Sequence, residues 1–368
     1  MRYLLSIVAA FAFLAPLPAA DLYVAPEGDD ANPGTRDKPL ATLTAARDAV
    51  RKLRGATAQP AGPITIHLAG GRYFIDRTVE FDQRDGGSEG AEVVYRALPG
   101  HKPVLIGGRE IKNFVPHKGK VLKADLAKQG WAKPAFRQLL CDSVRQVQAR
   151  YPNYDPADPV AGGWAYVDGA GKPMYGDRPE DSPRHLVYKP QDQRTWADPS
   201  QGEVFTFARY NWWNNIIAII SDDRARRTLT LGKSASYAIR PGDRYYVQGL
   251  LEELDTPGEW HLDRKTATLY YWPVGPIEQC RLAAPAVNTI LRARGASHLV
   301  FQGLTLECSE ESPIVLRDCS DCRVAACTIR QAGWYNGSGV SVEGRSTRCG
   351  VVGCDIGYVG SNGVTLHG

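Results

Sequence analysis

The sequence predicts an all-β protein that contains a solenoid of parallel coils, and three observations carry that prediction. Short β-prone runs recur about every 25 residues in the C-terminal part of the chain. No period holds the amphipathic run of ten or more residues that helix-rich repeats require. The 37 Gly and 25 Pro among 368 residues supply the frequent turns that such coils need.

The repeat consists of two interleaved series of apolar runs. The runs start at Val300, Val324 and Val351 in one series, and at Ile290, Ile314, Val340 and Val364 in the other. Gly, Asp, Asn and Ser join them, so each period offers two short strands and two turns. This pattern fits the coil of a β-solenoid, in which equivalent residues of successive coils stack about 4.8 Å apart.

The same register explains most of the eight cysteines. Cys327 and Cys354 occupy one position in successive coils, and Cys322 and Cys349 occupy another. We expect these side chains to form buried ladders of thiols rather than a disulfide framework. No second pair of ligands completes a zinc set with Cys319 and Cys322, so we predict no metal site. Cys141 and Cys280 lie far from the others and are interpreted as isolated.

The N-terminal third predicts further coils and one helix. Thr42 is a candidate N-cap, and residues 43–53 form an amphipathic segment that ends before Gly55. We expect this helix to cover the first hydrophobic layer of the solenoid. Short strands are predicted near residues 22–25, 64–68, 78–81, 92–95 and 103–106. Asp29 and Asp30 are interpreted as a solvated turn rather than a calcium site.

Residues 108–280 interrupt the repeat and contain seven of the eight tryptophans. Strand-like runs near 204–207, 216–220, 228–231 and 245–247 predict an inserted antiparallel β-domain. The predicted organisation is therefore a leader at 1–20, the N-terminal cap and first coils at 21–107, the insertion at 108–280, and parallel coils at 281–368.

The first twenty residues have the features of a secretory signal peptide. Arg2 precedes an apolar run over residues 4–17, and small residues end at Ala20. The run is too short for a membrane span and no other segment is long enough, so we expect secretion without a membrane anchor. The net charge of +4, without a basic run, argues against nucleic-acid binding.

Several motifs resemble those of known proteins. The opening, residues 23–35 (YVAPEGDDANPGT), 38–43 (KPLATL) and 46–50 (ARDAV), resembles that of secreted bacterial right-handed parallel β-helix proteins of the pectin-lyase-like type. Residues 64–73 (ITIHLAGGRY), 257–263 (PGEWHLD) and 268–273 (TLYYWP) are similar to β-helix glycoside hydrolases with α-L-fucosidase and xylanase activities. The resemblance implies a right-handed parallel β-helix and a hydrolase that acts on plant or algal-type polysaccharide or its side chains without a cofactor.

Three residues in the repeat are candidates for catalysis of glycosidic hydrolysis. Glycosidic hydrolysis uses two carboxyl groups about 5 to 9.5 Å apart, a range that two coils can span. Glu343 follows the run at 340–342, Asp355 lies within the run at 354–356, and His367 lies 24 residues after Glu343. We predict Glu343, Asp355 and His367 as catalytic candidates, with solvated turn carboxylates and a structural histidine as the alternative.

Four aromatic residues are candidates for stacking on sugar rings. Trp334 and Tyr335 lie where one coil is lengthened, as loops that bind ligands often do. Trp212 and Trp213 form a second pair, for which burial in an interdomain core is the alternative.

Two other functions remain open at this point. A polysaccharide lyase on the same fold would need a basic residue and usually calcium, and the repeats offer Arg317, Arg323, Arg330 and Arg345 but no Lys. A carbohydrate-binding surface protein without activity would need the fold alone. The chain stops at Gly368 without a closing cap, so we expect further coils, which could carry the principal carboxylates.

Overall fold

The computed structural model describes residues 19–55, 62–171 and 181–368. These residues are mainly β-strands with one α-helix, so the predicted all-β class is confirmed. Most of the predicted signal peptide, residues 1–18, lies outside the described residues. In the described part of the chain, no helix has the length and apolar character needed to cross a membrane.

The chain divides into two compact units. Unit 1 comprises the described residues up to Gly108 together with Ala286–Gly368, and unit 2 comprises Arg109–Pro285. Unit 1 is therefore assembled from two separate parts of the sequence.

Unit 1 contains three parallel sheets. Sheet A has the strands Ala20–Val24, Ile64–Leu68, Val93–Ala97, Leu299–Gln302, Arg323–Ala325 and Gly350–Val352. Sheet B has Gly71–Phe74, Pro103–Ile106, Thr305–Glu307, Thr328–Ala332 and Asp355–Val359. Sheet C has Val79–Phe81, Leu291–Arg294, Ile314–Arg317, Val340–Glu343 and Val364–His367. From Leu291 onward the chain visits sheets C, A and B in turn, three times, and then returns to C.

The register of the coils differs from the predicted alignment at one step in each series. Val324 pairs with Phe301 rather than Val300, and Ile314 pairs with Leu291 rather than Ile290. The later pairings follow the prediction, for example Val324 with Val351. In each case two adjacent apolar residues made the sequence ambiguous, and a shift of one residue exchanges the inner and outer faces of a strand.

The interior of unit 1 is filled by side chains that stack from coil to coil. Phe81, Tyr95 and Phe301 form an aromatic cluster, with the ring centre of Phe81 5.2 Å from that of Tyr95 and 5.4 Å from that of Phe301. The predicted stacking of Cys327 on Cys354 is confirmed, because the Cys327 backbone N–H donates to Cys354 Sγ at 3.4 Å. The six cysteines of unit 1 are free thiols.

The helix Leu43–Gly55 begins at the predicted cap. The Thr42 hydroxyl accepts the Ala45 backbone N–H at 3.1 Å, which satisfies one of the unpaired donors at the helix start. The carboxylate of Asp30 accepts the backbone N–H of Thr42 at 2.9 Å, so this acidic turn organises the helix start. Leu43, Ala46 and Val50 lie on one face and are buried in the core of unit 1.

A buried ion pair fixes the helix. Arg51 makes a two-pronged contact with the fully buried Asp85, with Nε 2.7 Å from Oδ1 and Nη2 2.6 Å from Oδ2. Arg51 Nη2 also lies 3.1 Å from an oxygen of Asp82. These hydrogen bonds, the one to Asp85 first, raise the pKa of Arg51 and keep the guanidinium charged.

The described residues of unit 2 form three sheets. One has Val144–Arg145, Leu140–Cys141, Leu282–Pro285 and Gly108–Ile111, and the second has Val147–Gln148, Glu259–Asp263, Thr268–Tyr271, Val121–Asp125 and Val115–Lys118. The third has Arg150–Tyr151, Arg244–Gln248, Glu203–Phe207, Asn214–Asp223, Thr228–Leu231 and His185–Val187, with Ala165–Tyr166 beside Arg244–Gln248. Short 3-10 helices occur at Ala127–Gln129, Pro190–Asp192, Pro199–Gln201, Leu251–Glu253 and Ile277–Gln279. In the second sheet Val147–Gln148 runs parallel to Glu259–Asp263 and the other pairs are antiparallel. The pairs of the third sheet are antiparallel.

The interpretation of Cys141 and Cys280 as isolated cysteines is wrong. They form a disulfide bond across 139 residues of sequence, with their Cα atoms 5.6 Å apart. The reason is the antiparallel pairing of Cys141 with Leu282, which brings Cys280, two residues earlier, beside it. The bond joins the beginning of unit 2 to its end.

We predict that Val50→Asp lowers the free energy of unfolding by at least about 3 kcal/mol, because it leaves an uncompensated charge in the core. Leu53→Asp is the matched control, since Leu53 lies on the same helix and is 39% exposed. Urea denaturation followed by circular dichroism measures both variants. Equal stability of Val50→Asp and wild type would show that the helix does not support the core.

We also predict that replacing Cys141 and Cys280 together by Ser destabilises unit 2 by about 3 to 5 kcal/mol, because the disulfide restricts a long loop in the unfolded chain. Seven of the eight tryptophans lie in unit 2, so tryptophan fluorescence during denaturation follows its unfolding. Cys349→Ser, a half-buried free thiol of unit 1, is the control. An unchanged denaturation midpoint in the double variant would contradict the prediction.

Candidate functional site

The outer face of sheet C carries a column of charged side chains. Val340 is buried in the core, so the alternation of the strand places Ser341 and Glu343 on the opposite face. The register pairs Arg317 with Glu343, and Glu343 with His367. The predicted spacing of 24 residues between Glu343 and His367 therefore places them at equivalent positions of adjacent coils.

The carboxylate of Glu343 is held by two neighbours. Arg317 Nη2 lies 2.9 Å from its Oε2, and the Ser341 hydroxyl donates to its Oε1 at 2.9 Å. These two contacts fix the orientation of the carboxylate on the outer face of sheet C.

Asp355 does not join this column. It begins the strand Asp355–Val359 of sheet B, where it pairs with Thr328 and is exposed. Glu343 belongs to sheet C, so the two predicted carboxylates do not lie on one face of the coils. The sequence showed that Glu343 and Asp355 both lie in the repeat. It did not show which sheet each belongs to, because that depends on the lengths of the turns between strands.

The loop that carries Trp334 and Tyr335 stacks on the loop of the preceding coil. The Trp334 backbone N–H donates to the Glu310 carbonyl at 3.1 Å, and the Gly333 N–H donates to the Ser309 carbonyl at 2.8 Å. The two aromatic rings are half-buried, with centres 5.9 Å apart and planes tilted by 48°. They offer ring faces at the corner between sheets B and C.

Hydroxyl groups connect this loop to the outer face of sheet C. Ser338, in the same loop, shares a hydrogen bond with the hydroxyl of Thr365. Thr365 pairs in register with Ser341, the residue that donates to Glu343. The loop with Trp334 is therefore tied to the strands of the column by hydroxyl groups, of which those of Ser338 and Ser341 belong to buried residues. Sequence analysis missed Ser341 and Thr365, which become visible only when the register assigns them to the outer face.

Trp212 and Trp213 belong to unit 2 and are 70% and 60% exposed. Neither ring belongs to a hydrophobic core of unit 2. The ring of Tyr210 lies 5.0 Å from that of Trp212. The pair remains a prediction for sugar stacking.

The described residues bring together one group of potential metal ligands, Cys141, Asp142 and Cys280. Both thiols are consumed in the disulfide bond, so this group does not offer a metal site.

Comparison with known proteins gives a likeness of fold. No protein-family model matches the chain, and no curated protein matches it. A solved structure described as a glycoside hydrolase is 20% identical with a TM-score of 0.73, and the match covers 94% of this chain and 67% of that one. XylC in complex with xylose is 12% identical with a TM-score of 0.30, covering 94% and 60%. A rhamnogalacturonan lyase is 11% identical with a TM-score of 0.28, covering 95% and 62%.

The likeness to the glycoside hydrolase shows a shared fold, since the identity is low. The scores of the other two structures are too low to carry an argument. The chain spans about two thirds of the length of the glycoside hydrolase that it matches.

Unit 2 contains a buried carboxyl group that sequence analysis did not single out. Glu259 is fully buried, and burial raises its pKa to about 7. Its oxygens accept the backbone N–H groups of Arg150 at 3.3 Å, Asp255 at 3.1 Å and Thr256 at 3.3 Å. These hydrogen bonds lower the pKa of Glu259, but by less than burial raises it. Because no solvent reaches the carboxyl, we interpret Glu259 as structural.

This shift predicts a pH dependence of stability. The unfolded chain ionises Glu259 near the ordinary glutamate pKa of 4.5, whereas the folded protein retains the proton up to about pH 7. Stability should therefore fall as the pH rises from about 4.5 to 7, by up to about 3 kcal/mol, and then level off. The measurement is urea denaturation of wild type and Glu259→Gln at pH 5 and pH 8. The difference between the two proteins isolates this group, and an identical pH dependence in both would contradict the assignment.

Proposed function

We propose that this chain forms part of a secreted glycoside hydrolase that acts on a polysaccharide or its side chains by carboxylate catalysis. The observation that carries the proposal is the column of Arg317, Glu343 and His367 beside an aromatic loop. The shared fold with a glycoside hydrolase structure supports it. Because the chain spans about two thirds of that structure, the activity is proposed for the whole protein.

The proposed architecture is a right-handed parallel β-helix with the helix Leu43–Gly55 as its N-terminal cap. The parallel sheets and, from Leu291 onward, the return to each sheet after 23 to 27 residues support the coil. The buried face of the helix, with Leu43, Ala46 and Val50, supports its role as a cap.

In the proposed mechanism, Glu343 provides the carboxylate that attacks the sugar carbon or activates water. Arg317 orients this carboxylate, with Nη2 2.9 Å from Oε2. His367 lies one coil away, at a separation of about 4.8 Å between strands, and is the proposed partner in proton transfer. Trp334 and Tyr335 would stack on an adjacent sugar ring. Asp355 is the less favoured candidate because it lies on another sheet.

The proposed site requires the protein to meet polysaccharide outside the cytoplasm. The signal-peptide features of residues 1–20 support secretion. Comparing cell and medium fractions for the protein with and without residues 1–20 tests this part of the proposal.

We predict that Glu343→Gln in the whole natural protein lowers kcat/KM on its polysaccharide by about 100-fold or more, because the charged carboxylate is lost. Glu80→Gln is the matched control. Glu80 forms the equivalent ion pair with Arg292 on sheet C, at 2.8 Å, and lies outside the proposed site. A panel of polysaccharides identifies the substrate, and released reducing ends measure turnover.

The products distinguish the alternatives. A hydrolase releases saturated sugars and keeps its activity in the presence of a chelator. Unsaturated uronates that disappear with the chelator would show a lyase instead. Equal activity of Glu343→Gln and Glu80→Gln would remove Glu343 from the mechanism.

A further inference from the structure

Unit 2 contains a pocket of about 270 Å³ with both polar and apolar lining. Residues of the strands Glu203–Phe207 and Glu259–Asp263 line it, together with Gln148 and the backbone at Gly202 and Gly249. The volume lies just below that of pockets for drug-sized ligands, so it suits a ligand with one ring. The motif at residues 257–263, noted in the sequence, supplies part of this wall.

The pocket contains a buried histidine. His261 is 4% exposed, and its Nδ1 has no hydrogen-bond partner among the described residues. Burial lowers the pKa of His261, so the imidazole is neutral near pH 7. A buried imidazole nitrogen without a partner is costly, and a ligand hydroxyl group would satisfy it after a small adjustment of the ring.

The charges around the pocket are mainly positive. Glu203 is the one acidic residue among the described residues that line it, and its Oε1 already accepts from the side chains of Arg137 and Gln248. Lys265 lies 3.3 Å from Asp198. Arg264 is exposed at the pocket and makes no hydrogen bond or ion pair with a described residue. The unbalanced charge favours an anionic ligand.

The strand that supplies Glu203 also carries an aromatic cluster, which is occupied by the chain itself. The ring of Phe205 stacks on Tyr246, with centres 4.7 Å apart and planes 9° from parallel. The guanidinium of Arg150 lies 3.6 Å from the ring centre of Tyr246, and that of Arg244 lies 4.3 Å from the ring centre of Phe207. This packing fixes the strand that forms one wall of the pocket.

We propose that this pocket binds a carboxylate-bearing sugar, a hexuronate. The carboxylate faces Arg264, and the hydroxyl groups meet His261 and Gln148. The site lies within unit 2 and does not depend on the column of unit 1. Its ligand could therefore bind even if the proposed hydrolase activity were wrong.

The experiment titrates the protein with sodium D-glucuronate by calorimetry, while NMR follows the imidazole resonances of His261. D-glucose is the neutral counterpart, and sodium sulfate is the inorganic anion. We expect saturable binding of glucuronate, a shift of the His261 resonances, and at least tenfold weaker binding of glucose and sulfate. Equal binding of glucose would overturn the role of charge, and equal binding of sulfate would overturn the role of the sugar.

Two pairs of variants locate the site. Arg264→Gln should weaken glucuronate binding at least fivefold, whereas Arg226→Gln, an exposed arginine of unit 2 outside the pocket, should not. Ala218→Trp should block the pocket, since Ala218 is an exposed residue of its wall. Ile220→Trp, two residues along the same strand and 56% exposed, is its control. Unchanged binding in Arg264→Gln, a surface change that leaves the fold intact, would overturn the proposal.

Discussion

Unit 1 depends on one constraint, the in-register stacking of parallel strands from coil to coil. Each coil must place an apolar side chain next to one in the preceding coil, at the spacing of hydrogen-bonded strands. Leu316 lies between Ala293 and Val342 in this way, and Ile329 between Leu306 and Ile356. A shift of one residue in any coil would turn this interior outward. The same constraint fixes which side chains face solvent, so the core determines the composition of the candidate site.

The outer column illustrates this dependence. The outer face carries Arg317, Glu343 and His367. Because Leu316 and Val342 must pack inward, the register is fixed, and it determines which of these outer residues are neighbours. The ion pair between Arg317 and Glu343 contributes little to folding at an exposed position. Its effect is to fix the position of the Glu343 carboxylate on the outer face.

The sequence predicted the elements that depend on local patterns. The period of the coils, the helix with its Thr42 cap and the stacking of Cys327 on Cys354 all follow from residue spacing. The errors arose where adjacent apolar residues leave the register ambiguous, as at Val300 and Phe301, or where contacts span a long sequence distance. The disulfide between Cys141 and Cys280 is of the second kind, because strand pairing over 139 residues leaves no periodic signal. The pocket of unit 2 is lined by residues from several separate segments, so it also could not be predicted from the sequence.

The division of unit 1 into two parts has a consequence for the order of events during synthesis. Leu105 pairs with Leu306, but the 177 residues of Arg109–Pro285 emerge between these strands. At ribosomal speeds of about 5 to 20 residues per second, the first coils wait on the order of ten to thirty seconds for their neighbours. During this interval the strands Val79–Phe81, Val93–Ala97 and Pro103–Ile106 present open edges. A chaperone that binds nascent chains would have its longest opportunity on these three strands.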